Sequence, residues 1–446
     1  MEIPLHGLGH VHTYTFKYIL KHWKAVFTFT EKVVLIFIAL AVILTSAKWA
    51  LAASQLKNTV PKYGGTFIEG VVGSSLDLVD LGRLTKSGLV KIDEKGQTQP
   101  DLATKWEASA DKIDYTFTLV SSVNSNDVVD VLKKNPTYLP DAAPLATDIH
   151  TISFKLTEPN ANFVLELAQP IFPYGPYKVD KKTDTELRLK RNPDYYGDKA
   201  YLDRFIVRLY PDQSALQNAA NHNKITAAVG LESIPKNWQS KEISLSRRHM
   251  LFINSSKYLK KTKVRDQLLK GEKPDGIQSL DFLEVNGEKT DPEYEVLKAN
   301  LIKAGVDVKV RKVSLKDALK NDLPKRNYDV LYILVNEGLS HDPYLFWNSS
   351  QRSGVGQNFS ELANADIDNL TEQLRITDDP AKQTDLNNQI NKLVEDERIS
   401  VQYKNLTTTY DVSPKVKGFA LNPSCLCETD RFALAPFWHF YEKRQK

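Results

Sequence analysis

A strand–helix–strand pattern in the second half of the chain constrains its fold most. Residues 293–304 show the spacing of an amphipathic helix that ends at Gly305, and the alternating valines of residues 306–310 predict a strand. After a short helix capped by Ser314, residues 328–335 (YDVLYILV) are almost continuously apolar. A strand this apolar is covered on both faces, as in a parallel sheet. The pattern therefore predicts a right-handed βαβ unit and an α/β fold.

The preceding part of the chain has a different strand pattern. Three segments alternate between apolar and polar residues, which is typical of strands with one buried face, and their apolar positions are Tyr115, Phe117 and Leu119, then Ile152, Phe154 and Leu156, then Phe205, Val207 and Leu209. Near the C-terminus, Asp379-Pro380 has the form of a helix start, an N-cap followed by proline. Two kinds of sheet within one chain of 446 residues predict two α/β lobes.

Composition and motifs argue against several classes of function. A formal charge of +4 with no basic face gives no reason to expect nucleic-acid binding. The only cysteines, Cys425 and Cys427, have no further cysteine or histidine close by, so we expect neither a metal site nor a disulfide framework. The chain carries no nucleophile elbow, zinc-binding helix motif or phosphate-binding loop. We therefore predict a protein that is not an enzyme, without catalytic residues or cofactors.

An apolar segment near the N-terminus predicts attachment to a membrane. Residues 33–53 begin with VVLIFIALAVIL and are long enough for a helix that crosses a bilayer. Four lysines within residues 1–32 place that tail in the cytoplasm and everything after the apolar segment outside the cell membrane. The alternative is a signal peptide cleaved after Ala50-Leu51-Ala52. The long leader favours an uncleaved single-pass anchor.

Four segments of the outer part resemble a known family in order and spacing. They are residues 63–77 (YGGTFIEGVVGSSLD), 101–119 (DLATKWEASADKIDYTFTL), 175–228 (starting GPYKVDKKTDTELRLKRNPDYY) and 412–419 (VSPKVKGF). They resemble extracellular solute-binding protein family 5, the oligopeptide- and dipeptide-type substrate-binding proteins of ABC transporters. The likeness spans roughly residues 63–446, and the chain resembles a shortened, membrane-anchored member.

The resemblance implies a two-lobed clamshell of the periplasmic-binding-protein-like type II class, with mixed sheets and a hinge. We expect the chain to cross between lobes near residues 252–255 and 403–408. The implied order is a cytoplasmic basic tail (1–32), a transmembrane anchor (33–53), a linker (54–62), lobe I (63–251, with 405–446 returning to it) and lobe II (252–404). The implied function is a receptor that closes on an oligopeptide or another small solute and delivers it to the permease subunits of an ABC importer.

The predicted ligand site has one loop from each lobe. Ligands of open α/β sheets bind beyond the carboxyl ends of the strands, and a polar loop follows the strand that ends at residue 335. The family resemblance places its ligand loop at the same position. The predicted ligand-binding residues are Gly73 and Ser74 from the first lobe, with Glu337, His341, Asp342, Tyr344 and Trp347 from the second. Glu337 is expected to bind the amino end of a peptide held mainly through its main chain.

The chain also departs from the family pattern. Leu339 stands where peptide binders often carry an aspartate, and the segments that follow Leu119 and Arg265 are short. A reduced or empty cleft would fit the alternative function, an anchored scaffold or sensor that takes no part in transport. A surface hydrolase is a third possibility, because scattered histidines such as His249, His341 and His439 can assemble in space.

Overall fold

The structure of the chain is a computed structural model, and it describes residues 28–30, 33–34, 38, 45, 59–93, 97–136, 138–139, 142–285, 290–338, 341–354, 356–421 and 428–444. The chain divides into two compact units, residues 1–60 with 442–446, and Pro61–Tyr441. The first unit carries most of a two-stranded sheet formed by β1 (Thr59–Lys62) and β18 (Tyr441–Arg444). All sites considered below lie in the second unit.

The predicted membrane segment can be followed only in part. Of residues 33–53, the structure describes Val33, Val34, Ile38 and Thr45, and the rest lie outside the described residues. Within the described portion of the chain, no helix is both long and apolar enough to span a bilayer.

The second unit is built on a mixed ten-stranded sheet, with the strand order β15-β14-β16-β13-β17-β12-β2-β11-β10-β9. Its strands are β2 (Thr66–Val72), β9 (Tyr177–Lys182), β10 (Glu186–Arg191), β11 (Arg204–Tyr210), β12 (Ala227–Val229), β13 (Gln239–Ile253), β14 (Ser279–Val285), β15 (Asp307–Val313), β16 (Val330–Asn336) and β17 (Ser400–Val412). Parallel pairs occur in both halves of the sheet, β2 with β11 and β12, and β14 with β15 and β16. The predicted α/β class with a mixed sheet is confirmed.

Helices connect and cover these strands. They are α1 (Gly82–Thr85), α2 (Ser125–Lys134), α3 (Phe163–Glu166), α4 (Gln213–Asn221), α5 (Thr262–Leu269), α6 (Pro292–Lys303), α7 (Leu315–Asp317), α8 (Tyr344–Trp347), α9 (Ala365–Ile376) and α10 (Pro380–Asp396). The predicted helix start at Asp379 is confirmed, because its carboxylate accepts hydrogen bonds from the amides of Ala381 and Lys382. Gly305 ends α6 with a φ of 86°, as its predicted capping role requires.

Strand β16 is buried on both faces, as its apolar sequence predicts. Leu331, Ile333 and Val335 belong to a core with Phe252 and Trp347, whereas Val330 and Tyr332 belong to a core on the other face. The strands β15 and β16 are parallel but not adjacent, since β14 lies between them and pairs with both. The βαβ unit of neighbouring strands is therefore β14–α6–β15, one strand earlier than the sequence pattern predicts.

A separate four-stranded antiparallel sheet holds the alternating strands of the first half. Its order is β5-β6-β8-β7, formed by β5 (Ala103–Ala108), β6 (Asp114–Leu119), β7 (Ala142–Asp148) and β8 (Thr151–Leu156), and a short ribbon of β3 (Val90–Ile92) and β4 (Thr98–Pro100) precedes it. The apolar positions of β6 and β8 are all buried in one core. The period-two prediction is confirmed here, and also in β11, where Phe205 and Val207 are buried.

Two long antiparallel strands join the two ends of the ten-stranded sheet. Strand β13 pairs with β16 over residues 247–253, and β17 pairs with β12 over residues 410–412. The pairing of β13 with β17 is irregular between Ser244 and Arg248, opposite residues 405–407. The regular pairing of β13 with β17 is interrupted at this point, and strands can bend at such an interruption.

Candidate functional site

The predicted ligand loop begins with a charged cluster at the end of β16. The Nη2 atom of Arg248, on the neighbouring strand β13, lies 2.7 Å from Oε2 of Glu337. The Nδ1 atom of His341 lies 3.3 Å from the same oxygen. Strand pairing positions this cluster, because Arg248 is the register partner of Val335 on β16. The backbone of His341 is left-handed, with a φ of 44°.

The environment of Glu337 keeps it ionised. Burial alone would raise the pKa of its carboxyl group, but the hydrogen bond to His341 and the charge of Arg248 outweigh burial and hold the pKa below its usual value. The carboxylate therefore carries its charge at neutral pH while Arg248 balances it. A ligand ammonium group at this position would have to share Glu337 with Arg248.

The side chains of Asp342 and Tyr344 are already engaged in contacts within the protein. Asp342 is buried, and its Oδ1 accepts a hydrogen bond of 3.0 Å from the amide of Tyr344, at the start of α8. The Nε atom of Arg375, on α9, lies 3.2 Å from Oδ2 of Asp342. Burial raises the pKa of the Asp342 carboxyl, and Arg375 opposes that rise. The guanidinium carbon of Arg375 lies 4.2 Å from the ring centre of Tyr344.

Trp347 lies in the hydrophobic core rather than at a surface. Its side chain is buried, and its ring centre lies 5.8 Å from that of Phe252. It packs among the same core residues as Ile333 and Phe359. This position favours a packing role that supports the loop. By contrast, Glu337 and His341 contact each other within the loop, and Glu337 also contacts Arg248 of the neighbouring strand.

On the other loop, Gly73 and Ser74 directly follow β2 and are exposed. The amide of Gly73 donates a 3.3 Å hydrogen bond to the carbonyl of Tyr210, so the loop leaves the sheet beside the end of β11. These two strands are parallel, and their carboxyl ends form one edge, as the placement of the predicted site assumes. Leu339 and Ser340 in the second loop, and both cysteines, lie outside the described residues.

A buried polar triad near the first loop is not predicted from the sequence. Glu69 on β2 is fully buried, its Oε1 lies 3.0 Å from Nη2 of Arg431, and its Oε2 accepts a 2.6 Å hydrogen bond from the Tyr410 hydroxyl. Burial raises the pKa of Tyr410 well above its usual value, so the phenol keeps its proton and donates it. Glu69 within the apolar stretch TFIEGVV is the one sequence signal of this triad.

The described residues contain no group of three or more histidine, cysteine, aspartate or glutamate side chains that could hold a metal ion. The charged clusters above are instead ion pairs between acidic and basic side chains.

The fold defines a class of protein. The structure aligns with the oligopeptide-binding protein AppA of Bacillus subtilis, solved in complex with a nonapeptide, at a TM-score of 0.63 and 16% identity over 86% of this chain and 100% of AppA. It aligns with the ABC transporter-associated periplasmic binding protein DppA of Helicobacter pylori, solved in complex with the peptide STSA, at a TM-score of 0.62 and 19% identity over 85% of this chain and 98% of DppA. At these identities the likeness establishes the fold, that of the periplasmic solute-binding proteins.

The sequence comparisons are more specific. Residues 97–269 match the model described as bacterial extracellular solute-binding proteins, family 5 middle. The probable D,D-dipeptide-binding periplasmic protein DdpA of Escherichia coli (strain K12) is 22% identical over 434 residues, covering 74% of this chain and 84% of DdpA. The relationship of this chain to family 5, recognised from its sequence, is therefore confirmed.

Proposed function

We propose that the chain is a membrane-anchored extracytoplasmic receptor that binds peptides and delivers them to the permease subunits of an ABC importer. The observation that carries this proposal is the match of residues 97–269 to family 5, which is described as a family of bacterial extracellular solute-binding proteins. The relatives, a probable D,D-dipeptide-binding protein and two structures with bound peptides, favour peptides as the solute class.

In this proposal, the protein closes two lobes around its ligand. Lobe I comprises residues 63–251 with 405–446, and lobe II comprises residues 252–404. The separate hydrophobic cores at the two ends of the ten-stranded sheet support this division. The irregular pairing between Ser244 and Arg248 supports a hinge there, a few residues earlier than the crossing expected near residues 252–255.

The proposed ligand residues differ in how they contribute. Gly73, Ser74, Glu337 and His341 are the proposed contact residues, because their loops follow strand ends and their groups are exposed or reach across strands. Asp342, Tyr344 and Trp347 are proposed to hold the shape of the second loop, since internal contacts already engage them. With Arg248 beside Glu337, the pair can bind both an ammonium and a carboxylate, the two charged groups of a short peptide.

We expect the purified full chain to carry a heterogeneous set of short peptides. Native followed by denaturing mass spectrometry would detect their release. After unfolding and refolding to remove them, titration calorimetry with D-alanyl-D-alanine and L-alanyl-L-alanine would test which stereochemistry binds. Glu337→Ala should weaken binding about tenfold or more, because a hydrogen bond to a charged group typically contributes about 1.5–3 kcal/mol.

The outcomes of this experiment separate the possible functions. Release of one defined molecule that is not a peptide would reject the peptide class but keep the receptor. A chain that carries nothing and shows no thermal shift with a peptide pool would reject the receptor. Unchanged affinity of the Glu337→Ala variant would remove Glu337 from the proposed site.

We further propose that residues 33–53 anchor the chain to the membrane. The full chain should stay with the membrane pellet after extraction at alkaline pH, with an intact mass that includes residues 1–53. Ile36→Arg with Leu40→Arg should release it, because each arginine at the centre of a membrane helix costs about 2.5–3.5 kcal/mol. Recovery of a chain that starts after Ala52 would show instead that the segment is a cleaved signal peptide.

A further inference from the structure

A second set of contacts connects the four-stranded sheet to the helices α9 and α10. We call it the clasp, and its residues are Lys112, Glu158, Ala161 and Asn162 on the sheet side, with Arg375, Asp378 and Gln383 on the helix side. Lys112 forms an ion pair with Asp378. The amide of Ala161 donates a 2.6 Å hydrogen bond to the carbonyl of Arg375.

Arg375 connects the clasp to the second ligand loop. Its Nη1 lies 3.0 Å from Oε2 of Glu158 on the sheet side, and its Nε lies 3.2 Å from Oδ2 of Asp342 in the loop. The same guanidinium group covers the ring of Tyr344. Its side chain is only 11% exposed, so its position is fixed on both sides. One side chain therefore contacts the four-stranded sheet and the loop together.

The clasp has features that allow its two sides to separate. A cavity of about 580 Å³ lies beside its contacts, lined by Trp106, Tyr115, Asn162, Asp378 and Gln383, among others. The contacts that define the clasp are ion pairs and hydrogen bonds beside this open space. Asp378 and Glu158 are 67% and 50% exposed, so water and salt reach the ion pairs. Polar interfaces of this kind are typical of domains that move relative to each other.

We propose that the clasp stabilises the closed arrangement of the lobes and that Arg375 transmits closure to the ligand loop. This inference rests on the proposed function, because the clasp joins the proposed lobe I to the proposed lobe II. If lobe II swings away about the crossing strands, these contacts break. A larger closed fraction in the absence of ligand raises the apparent affinity, because ligand then binds a conformation that already exists.

The test compares two double variants that remove the same charge from the surface. Glu158→Gln with Asp378→Asn removes both acidic partners of the clasp and changes no residue of the ligand loop. Glu372→Gln with Asp385→Asn is the matched control, since both residues are exposed on the same helices, α9 and α10, and neither belongs to the clasp. Spin labels at Leu145→Cys and Lys392→Cys, in a full chain with Cys425 and Cys427 changed to serine, report the distance between the two sides by pulsed electron resonance.

We expect the clasp variant to show a longer, broader label distance without ligand and about tenfold weaker binding of D-alanyl-D-alanine or the released peptide pool, with an unchanged melting temperature. High salt should lengthen the distance in the wild type toward that of the variant. Arg375→Lys keeps the charge but loses the fork that contacts Glu158 and Asp342, and it should weaken binding similarly.

A clasp variant with the distance and affinity of its control would overturn the inference. The label distance is measured without ligand, so it tests the clasp even if no peptide binds. Absence of peptide binding with a lengthened distance would reject the proposed function and keep the clasp. Absence of any distance change, with normal peptide binding, would reject the clasp and keep the proposed function.

Discussion

Glu69→Ala is expected to lower the free energy of unfolding by about 3–5 kcal/mol, because it removes one partner of a buried ion pair. Glu69 and Arg431 are 0% and 4% exposed, and Oε1 of Glu69 lies 3.1 Å from Nε and 3.0 Å from Nη2 of Arg431. The guanidinium group also covers the ring of Phe432 at 4.1 Å, so it has little room to reach water. The change would leave a positive charge in the interior without this carboxylate.

The cost should be high because the triad joins three parts of the chain. Glu69 lies in an interior strand, paired with Val207 on one side and Ala227 on the other. Tyr410 comes from β17, and Arg431 from a 3₁₀ helix at Glu428–Phe432. Loss of the carboxylate therefore weakens the attachment of the returning C-terminal segment to the sheet, in addition to leaving a charge buried.

Urea unfolding of the full chain, followed by tryptophan fluorescence, measures this effect. Tyr410→Phe is the matched control, since it removes one hydrogen bond to the charged Glu69, worth about 1.5–3 kcal/mol, and keeps the ion pair. Glu69→Met with Arg431→Met should recover much of the loss, because an apolar pair carries no buried charge. A Glu69→Ala variant no less stable than Tyr410→Phe would show that the ion pair contributes little.

Local features of this fold were predictable from sequence because they depend on neighbouring residues. The N-cap Asp379, the helix-ending Gly305 and the apolar run of β16 each follow from a few adjacent positions. Strand β14 was not predicted, because Asp281 and Glu284 interrupt its apolar pattern. Glu284 is nevertheless buried, where it accepts a 2.6 Å hydrogen bond from Lys298 on α6. Glu284 can be buried because Lys298 pairs with its carboxylate, and a residue's type alone does not show such a partner.

The candidate site was predictable only in outline. The rule that ligands bind beyond strand ends led to the loop after β16, and the structure brings Glu337 and His341 together there. Arg248 is missing from the prediction because strand pairing, and not sequence proximity, brings it to Glu337. The same reason hides the contact of Arg375 with Glu158, 217 positions away. The sequence predicts Trp347 as a ligand residue, but its side chain is buried and packs against Phe252 of β13.

Gly175→Ala is expected to lower the free energy of unfolding by about 3 kcal/mol or more. The added methyl group would overlap backbone atoms, which cannot rotate out of the way as a side chain can. A Cβ atom at this position would lie 2.3 Å from the carbonyl carbon of Thr85 and 2.4 Å from the amide nitrogen of Lys86. The amide of Gly175 donates a 3.2 Å hydrogen bond to the carbonyl of Thr85. The side-chain amide of Asn192 donates a 2.9 Å bond to the Gly175 carbonyl, so the glycine is held on both sides.

These contacts give a physical reason for part of the family pattern. The Gly-Pro-Tyr segment at residue 175 and the Arg-Asn-Pro segment at residue 191 lie against each other through Gly175 and Asn192. A side chain at residue 175 would push β9 away from the end of α1, and the core around Tyr177 would open with it. The motif is therefore needed for the close approach of two backbones in this part of the fold, independently of any ligand.

Gly73→Ala is the matched control for this prediction, because the same chemical change meets one side-chain atom at an ordinary distance and no backbone atom. The nearest atom to an added Cβ at residue 73 is Cδ1 of Leu209, at 3.4 Å, an ordinary contact distance. Thermal unfolding of the full chain should place this variant within about 0.5 kcal/mol of the wild type. Equal stability of the two variants would mean that the backbone at residue 175 can shift. A stable Gly73→Ala variant with weakened peptide binding would assign that glycine to ligand contact, since stability and binding are then separated at one residue.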